Sequence, residues 1–242
     1  MKLLLISNST NAGEAYLGWP KTFISDFMQK HQVKSVLFVP YAGVNLSDHG
    51  LEASYNAYED RVKQVFNKLG FELVSIHHEA DPVKAVQEAE CIAVGGGNTF
   101  HLVAQMQETG IMEAIHKRAL DGMPYMGWSA GSNVACPSLR TTNDMPIYEP
   151  ESFNCLNLIP FQINPHYLDA NPEGHGGETR EQRINEFLAV NPTITVVGLR
   201  EATLLEMDGN ELTLKGNRPM RLFKHGVEPE EISCPADLSY LM

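Results

Sequence analysis

Short apolar runs alternate with stretches of helical periodicity along the first half of the chain. Leu3, Leu4, Leu5 and Ile6 follow one another without polar interruption, as a strand buried on both faces requires. Similar runs recur at 36–39, 91–94 and 125–127, and at 73–76 with Ser75 inside the run. Between these runs, apolar residues fall three and four apart. Phe23, Ile24 and Phe27 share a face within 20–30. Tyr58, Val62, Val65 and Leu69 share one within 55–69, where Gly70 supplies the stop. Asp81 and Pro82 are an N-cap and a first helical position. Helical patterns follow at 99–108 and 112–120. This alternation predicts an α/β fold, with a mostly parallel central sheet flanked by helices on both faces.

The periodicity loosens after Ala135. Residues 137–178 are rich in Pro, Asn, Gly and His and read as a long irregular segment, which in a compact domain usually carries function. A helix returns at 179–190 and a strand at 195–197. Two further runs, 204–207 and 212–214, flank Asp208, Gly209 and Asn210 and predict a C-terminal β-hairpin. No repeat, low-complexity tract or linker divides the chain, so one domain over residues 1–242 is expected.

Charge narrows the partners. The formal net charge of the 242 residues is -12, which disfavours nucleic acid and anionic membrane. An acidic protein that takes an acidic substrate needs a local cation, so an arginine in a candidate site is informative. The four cysteines (Cys91, Cys136, Cys155 and Cys234) form no C-x-x-C pair and read as reduced thiols. The opening apolar run is too short for a secretory signal, and nothing approaches the ~20 apolar residues of a membrane span. A cytoplasmic protein is expected.

The sharpest chemical signal is Gly127-Trp128-Ser129-Ala130-Gly131, which follows a short strand and precedes a helix. A sharp strand-to-helix turn of this kind projects a nucleophilic serine toward a helix N-terminus. Gly95-Gly96-Gly97-Asn98 follows its own strand. It lacks the spacing of a phosphate loop, and Gly97 N–H opposite Ala130 N–H would suit an oxyanion. A serine nucleophile needs a base, and His166 in Asn164-Pro165-His166-Tyr167 is the candidate. His175 and Glu178 have part of a metal-site spacing without further ligands, so no metal is expected. His77-His78-Glu79 reads as a solvated loop.

Taken together, these residues resemble the peptidase E family of α-aspartyl dipeptidases, serine peptidases related to cyanophycinases and class I glutamine amidotransferases. The resemblance runs over nearly the whole chain. It is densest in Arg140-Thr141-Thr142-Asn143-Asp144-Met145-Pro146, Gln162-Ile163-Asn164-Pro165-His166 and Gly177-Glu178-Thr179-Arg180-Glu181-Gln182-Arg183. It implies an amidotransferase-like fold, Ser129 as nucleophile, His166 as general base, and hydrolysis of short peptides after an N-terminal aspartate, without a cofactor. It implies Arg180 as reader of the substrate carboxylate, a shape for which an arginine fork is suited. Asn98 joins it as a substrate-binding residue. Two acids compete to orient His166: Glu201, which is favoured, and Asp144, which would otherwise hold the substrate ammonium. The chain departs from the family pattern at Arg200 and Ala202, which stand where Pro and Gly flank the glutamate. Arg200 is thereby expected to compete with His166 for the charge of Glu201. The resemblance also implies a homodimer. A β-aspartyl peptidase of cyanophycinase type and a silent binding protein are the rival functions.

Overall fold

The computed structural model describes residues 1–171, 173–174 and 176–242. Strand β1 (Lys2–Ile6) lies inside an eight-stranded sheet, and its side chains alternate between two apolar layers. Leu3 and Leu5 enter one layer and Leu4 and Ile6 the other, all fully buried. That is why the run carries no polar residue: both faces of the strand are covered.

On one side β1 pairs in parallel with β5 (Tyr125–Trp128). Beyond it lie β4 (Ile92–Val94), β2 (Ser35–Val39) and β3 (Glu72–Ser75), also parallel. On the other side β1 pairs antiparallel with β8 (Thr203–Asp208), followed by β9 (Glu211–Gly216) and β12 (Ala236–Asp237). Helices α1 (Lys21–Lys30) and α2 (Leu51–Leu69) cover the layer of Leu4 and Ile6 through Phe27, Val62 and Phe66. Helices α3 (Pro82–Glu88), α4 (Thr99–Glu108) and α5 (Ile111–Leu120) cover the other through Val86, Leu102 and Ile115. The expected helix-covered parallel sheet is present, and so is the β8–β9 hairpin. Helix α2 begins four residues before its apolar stripe becomes readable, because Leu51 faces solvent.

The expectation that 137–178 is irregular needs correction. It contains β6 (Gln162–Tyr167), whose polar residues and Pro165 hide the strand pattern. The buried amides of Gln162 and Asn164 are bonded to Ser138, Thr141 and Asn143, so polarity here does not signal solvent. Strand β6 pairs in parallel with β7 (Val196–Arg200) in a second, four-stranded sheet completed by β10 (Met220–Phe223) and β11 (Glu230–Ile232). Helix α7 (Arg180–Val190) packs Ile184 and Leu188 against Tyr167, Val196 and Phe223 of that sheet. No helix among the described residues is long and apolar enough to cross a membrane.

Since Leu5 is wholly enclosed, Leu5→Ala should lower the unfolding free energy by about 2–5 kcal/mol. Urea denaturation measures this, and a change within ~0.5 kcal/mol would contradict the burial described.

Candidate active site

Strand β5 ends at Trp128 and the short helix α6 (Ala130–Asn133) begins at Ala130, leaving Ser129 alone at the turn with φ 54° and ψ -113°. A side chain held in so sparsely populated a conformation costs roughly 1–3 kcal/mol and persists only where its surroundings enforce it. Two glycines permit the turn. A Cβ on Gly127 would lie 2.2 Å from the Gly131 carbonyl oxygen, and one on Gly131 would lie 2.1 Å from that of Val94. Ser132 Oγ then pins the turn by donating to the carbonyls of Ile6 (2.6 Å) and Gly127 (2.8 Å).

Ser129 Oγ and His166 Nε2 are 3.0 Å apart, and His166 Nδ1 is 2.8 Å from Glu201 Oε1. The structure therefore brings serine, histidine and glutamate into one hydrogen-bonded line. His166 reaches it from a bulge: the β6–β7 register shifts between Pro165 and Tyr167, and His166 sits at φ 52°. Glu201 follows the end of β7, at the corner where the chain passes from the second sheet into β8 of the first. Its neighbour Ala202 also has positive φ, 64°.

The end of β1 and the two residues after it hold the backbone at Ser129, at His166 and next to Glu201. The Ile6 carbonyl accepts from Ser129 N–H (3.0 Å). Ser7 Oγ accepts from His166 N–H (3.0 Å) and donates to the Leu199 carbonyl (2.7 Å). Asn8 Oδ1 accepts from Ala202 N–H (2.9 Å). Ser7 and Asn8 are fully buried.

Asp144 is placed elsewhere. Its Oδ2 accepts from Thr99 N–H (2.7 Å), Thr99 Oγ1 (2.6 Å) and Thr142 Oγ1 (3.0 Å), at the start of α4. Asn98 caps the same helix, accepting from His101 N–H and donating to the Met145 carbonyl, while its residue lines the cavity in front of Ser129. The expected competition from Arg200 does not occur. Its side chain is buried against Asp169 and Glu231, at 2.5 to 3.1 Å. The hydrogen bond from Arg200 holds the Asp169 carboxyl below its usual range.

Arg180, the first residue of α7, lies beside Asp144 in a second cavity of about 140 Å³ with Thr142, Asn143 and Asn164. Neither Glu178 nor Glu181 pairs with it: Glu178 meets Arg183 and Glu181 meets Arg221. Burial and the neighbouring Arg183 lower its guanidinium from the ordinary value, against the pull of Asp144. Asn164, one of the lining residues, also carries an unsatisfied acceptor that is sealed beneath the cavity. Asn164 Oδ1 is buried without a partner among the described residues, its Nδ2 being taken by Thr141 and Asn143. Asn164 sits in a motif quoted above, yet its polarity reads there as loop character, so its place in the site is not visible from sequence.

Gly97 and Ala130 present N–H groups that donate to no backbone acceptor among the described residues. Gly97 has φ 137°, and a Cβ there would lie 2.1 Å from the Ala42 carbonyl oxygen. A Cβ on Gly96 would lie 2.8 Å from that of Ser129, which places the glycine run directly against the serine. The carbonyl of Gly96 accepts from Tyr58 Oη (2.9 Å), and that hydroxyl accepts from Trp128 Nε1 (3.0 Å) and Tyr16 Oη (3.2 Å). In a trans peptide the N–H points opposite to the C=O. By holding the Gly96 carbonyl from behind, Tyr58 aims Gly97 N–H forward. Burial pushes the Tyr58 hydroxyl up, which keeps it a donor. Its helical spacing with Val62 and Leu69 marks Tyr58 as a core residue, and only the fold shows its hydroxyl.

His77 and His78 form a short turn after β3, with His78 Nε2 2.7 Å from Glu59 Oε2, so this segment is packed on α2 rather than a free loop. It lies outside the cavities just described. His175 falls outside the described residues.

A strained serine at a strand–helix elbow, a histidine on its hydroxyl and a carboxylate on the histidine define a serine hydrolase, and the comparisons make it a serine peptidase. The chain belongs to Peptidase family S51, whose profile matches residues 3–215. It is 46% identical to Peptidase E of Nostoc sp. (strain PCC 7120 / SAG 25.82 / UTEX 2576), covering 100% of this chain and 96% of that one. It is 45% identical to Peptidase E of Streptomyces coelicolor (strain ATCC BAA-471 / A3(2) / M145), covering 100% and 95%. A crystal structure of a peptidase from an acI-B1 Actinobacterium shares the fold, with a TM-score of 0.69 at 18% identity over 98% of this chain and 96% of that one.

Two measurements test the geometry. Glu201→Gln should lower kcat by about 100-fold or more, whereas Asp144→Asn should act mainly on KM and on α4 stability; the opposite ranking in steady-state kinetics would reassign the acid. Tyr58→Phe should lower kcat by roughly 10-fold with little change in KM, a fraction of the loss expected from deleting an oxyanion donor outright. An unchanged kcat would remove Tyr58 from the site.

Proposed function

We propose that this chain is a dipeptidase that cleaves Asp–Xaa dipeptides through an acyl-enzyme on Ser129. The observation that carries the substrate class is the cavity of Arg180. An arginine with no carboxylate ion pair among the described residues stands there beside Asp144. Those are the complements of an N-terminal aspartate: the guanidinium takes the side-chain carboxylate, and Asp144 takes the ammonium. This cavity adjoins that of Ser129 through Asn98 and Thr99, and through Asn143, whose Nδ2 donates to the Pro165 carbonyl beside His166. The names of the Nostoc and Streptomyces relatives agree with a peptidase of this kind.

In the reaction, His166 Nε2 takes the Ser129 proton as Oγ attacks the aspartyl carbonyl. Gly97 and Ala130 N–H groups receive the oxyanion, aided by the N-terminus of α6. Glu201 holds the imidazole in the tautomer that exposes Nε2 as acceptor and steadies the imidazolium that forms. His166 returns the proton to the leaving nitrogen. Water, activated by the same histidine, then releases aspartate. Acid, base and oxyanion donors all come from the chain, so the chemistry asks for no metal or cofactor.

The test is release of free aspartate from Asp-Leu in excess EDTA, with Asn-Leu and β-Asp-Leu alongside. Asp-Leu should be cleaved and Ser129→Ala should be inactive. Asn-Leu should react at least ~100-fold more slowly, because it leaves Arg180 without its ion, and Arg180→Met should erase most of that preference. Cleavage of β-Asp-Leu in place of Asp-Leu would move the substrate class. Complete loss in EDTA, restored by zinc, would overturn the metal-free mechanism. Inertness toward all three would favour a binding protein.

A further inference from the structure

The Arg180 cavity accounts for the acyl half of a dipeptide and leaves the leaving residue without a site. The direction in which that residue lies follows from the proton. The group that protonates the leaving nitrogen must face it, so the leaving residue sits where His166 opens. His166 lines the cavity of Ser129, about 360 Å³, and not that of Arg180. This cavity is also lined by Tyr16, Asn45 and one arginine, Arg61.

Arg61 stands three residues after Tyr58 on α2, so the two share a helix face and point toward the same cavity. Its guanidinium lies over the Tyr16 ring, 5.6 Å from the centroid. Tyr16 in turn donates to Tyr58, which holds the Gly96 carbonyl. The guanidinium is thus steadied by an aromatic face, and among the described residues it forms no ion pair. Glu59, two positions before it, is turned to Lys63 and His78. In a chain of net charge -12, an arginine left without a carboxylate at the rim of a reaction cavity marks a place where the ligand supplies the anion.

A dipeptide has an anion in that direction. Its C-terminal α-carboxylate is two bonds from the nitrogen that His166 protonates. We infer that Arg61 is the anchor for the α-carboxylate of the leaving residue, and that it favours dipeptides over longer peptides by taking a free C-terminus where a longer substrate would present a neutral amide. This inference rests on the dipeptidase reading above and adds a second carboxylate site to it. The two arginines then divide the work: Arg180 selects the first residue, and Arg61 selects the length.

The experiment compares Asp-Leu with its C-terminal amide, Asp-Leu-NH2, in wild type, Arg61→Gln and Arg61→Lys, with thermal unfolding as a control for folding. Wild type should prefer the free acid by about 10-fold or more in kcat/KM, expressed mainly in KM, as expected for loss of one charge-assisted contact. Arg61→Gln should bring the acid-to-amide ratio close to one, and Arg61→Lys should retain much of it. If wild type cleaves both peptides with a ratio that Arg61→Gln leaves unchanged, the subsite is overturned and the dipeptidase reading stands. If Arg61→Gln instead erases discrimination between Asp-Leu and Asn-Leu, Arg61 serves the side-chain carboxylate and the inference fails. If wild type cleaves neither peptide, the dipeptidase reading falls and the subsite with it.

Discussion

Three consecutive residues at the buried end of β1 support the whole arrangement. Ile6, Ser7 and Asn8 each hold the backbone at, or next to, one member of the serine–histidine–glutamate line. Each held residue has positive φ, a conformation that costs an L-residue about 1–2 kcal/mol. The penalties are offset because the alternative, a buried donor or acceptor without a partner, costs about as much again at each position. Ser7 also ties the two sheets together, since its hydroxyl bridges β6 and β7 from the tip of a strand that belongs to neither. The hydrogen bonds that shape the site and those that join the sheets are largely the same.

Around that line the carboxylates have separate employments, and the separation matters in so acidic a chain. Glu201 faces His166, Asp144 binds the start of α4, and Asp169 with Glu231 occupies Arg200. Arg200, the last residue of β7, is held by Asp169 and Glu231, whereas Glu201 lies at the corner beyond the strand and meets His166. The adjacency in sequence that suggests competition therefore becomes separation in space. Among the described residues, Arg180 and Arg140 in one cavity and Arg61 in the other form no ion pair with a carboxylate.

Much of this was legible in the sequence, and the remainder was hidden for identifiable reasons. Apolar runs mark β1, β2, β4 and β5 because strands covered on both faces admit little else, whereas the edge strand β3 alternates exposed and buried positions. Small residues around Ser129 mark its turn because no Cβ fits at Gly127 or Gly131. Strand β6 is hidden because its buried positions are filled by hydrogen-bonded Gln162, Asn164 and Pro165, which look like loop. The choice between Glu201 and Asp144 rests on a corner between two sheets, and no local pattern records which carboxylate a corner turns inward. Tyr58 and Arg61 are hidden differently. One reads as a core aromatic and the other as a solvated charge, and both descriptions are correct for part of each side chain.

Trp128 precedes the nucleophile on β5 and sends its indole N–H behind the glycine wall, to the hydroxyl that steadies it. Ala130, on the other flank of Ser129, offers its N–H in front. The Ser129 hydroxyl and the N–H groups of Ala130 and Gly97 are therefore cut from a single pentapeptide and the turn after the strand beside it. Their mutual alignment is therefore set by the pairing of two neighbouring strands rather than by loops that meet from distant parts of the chain.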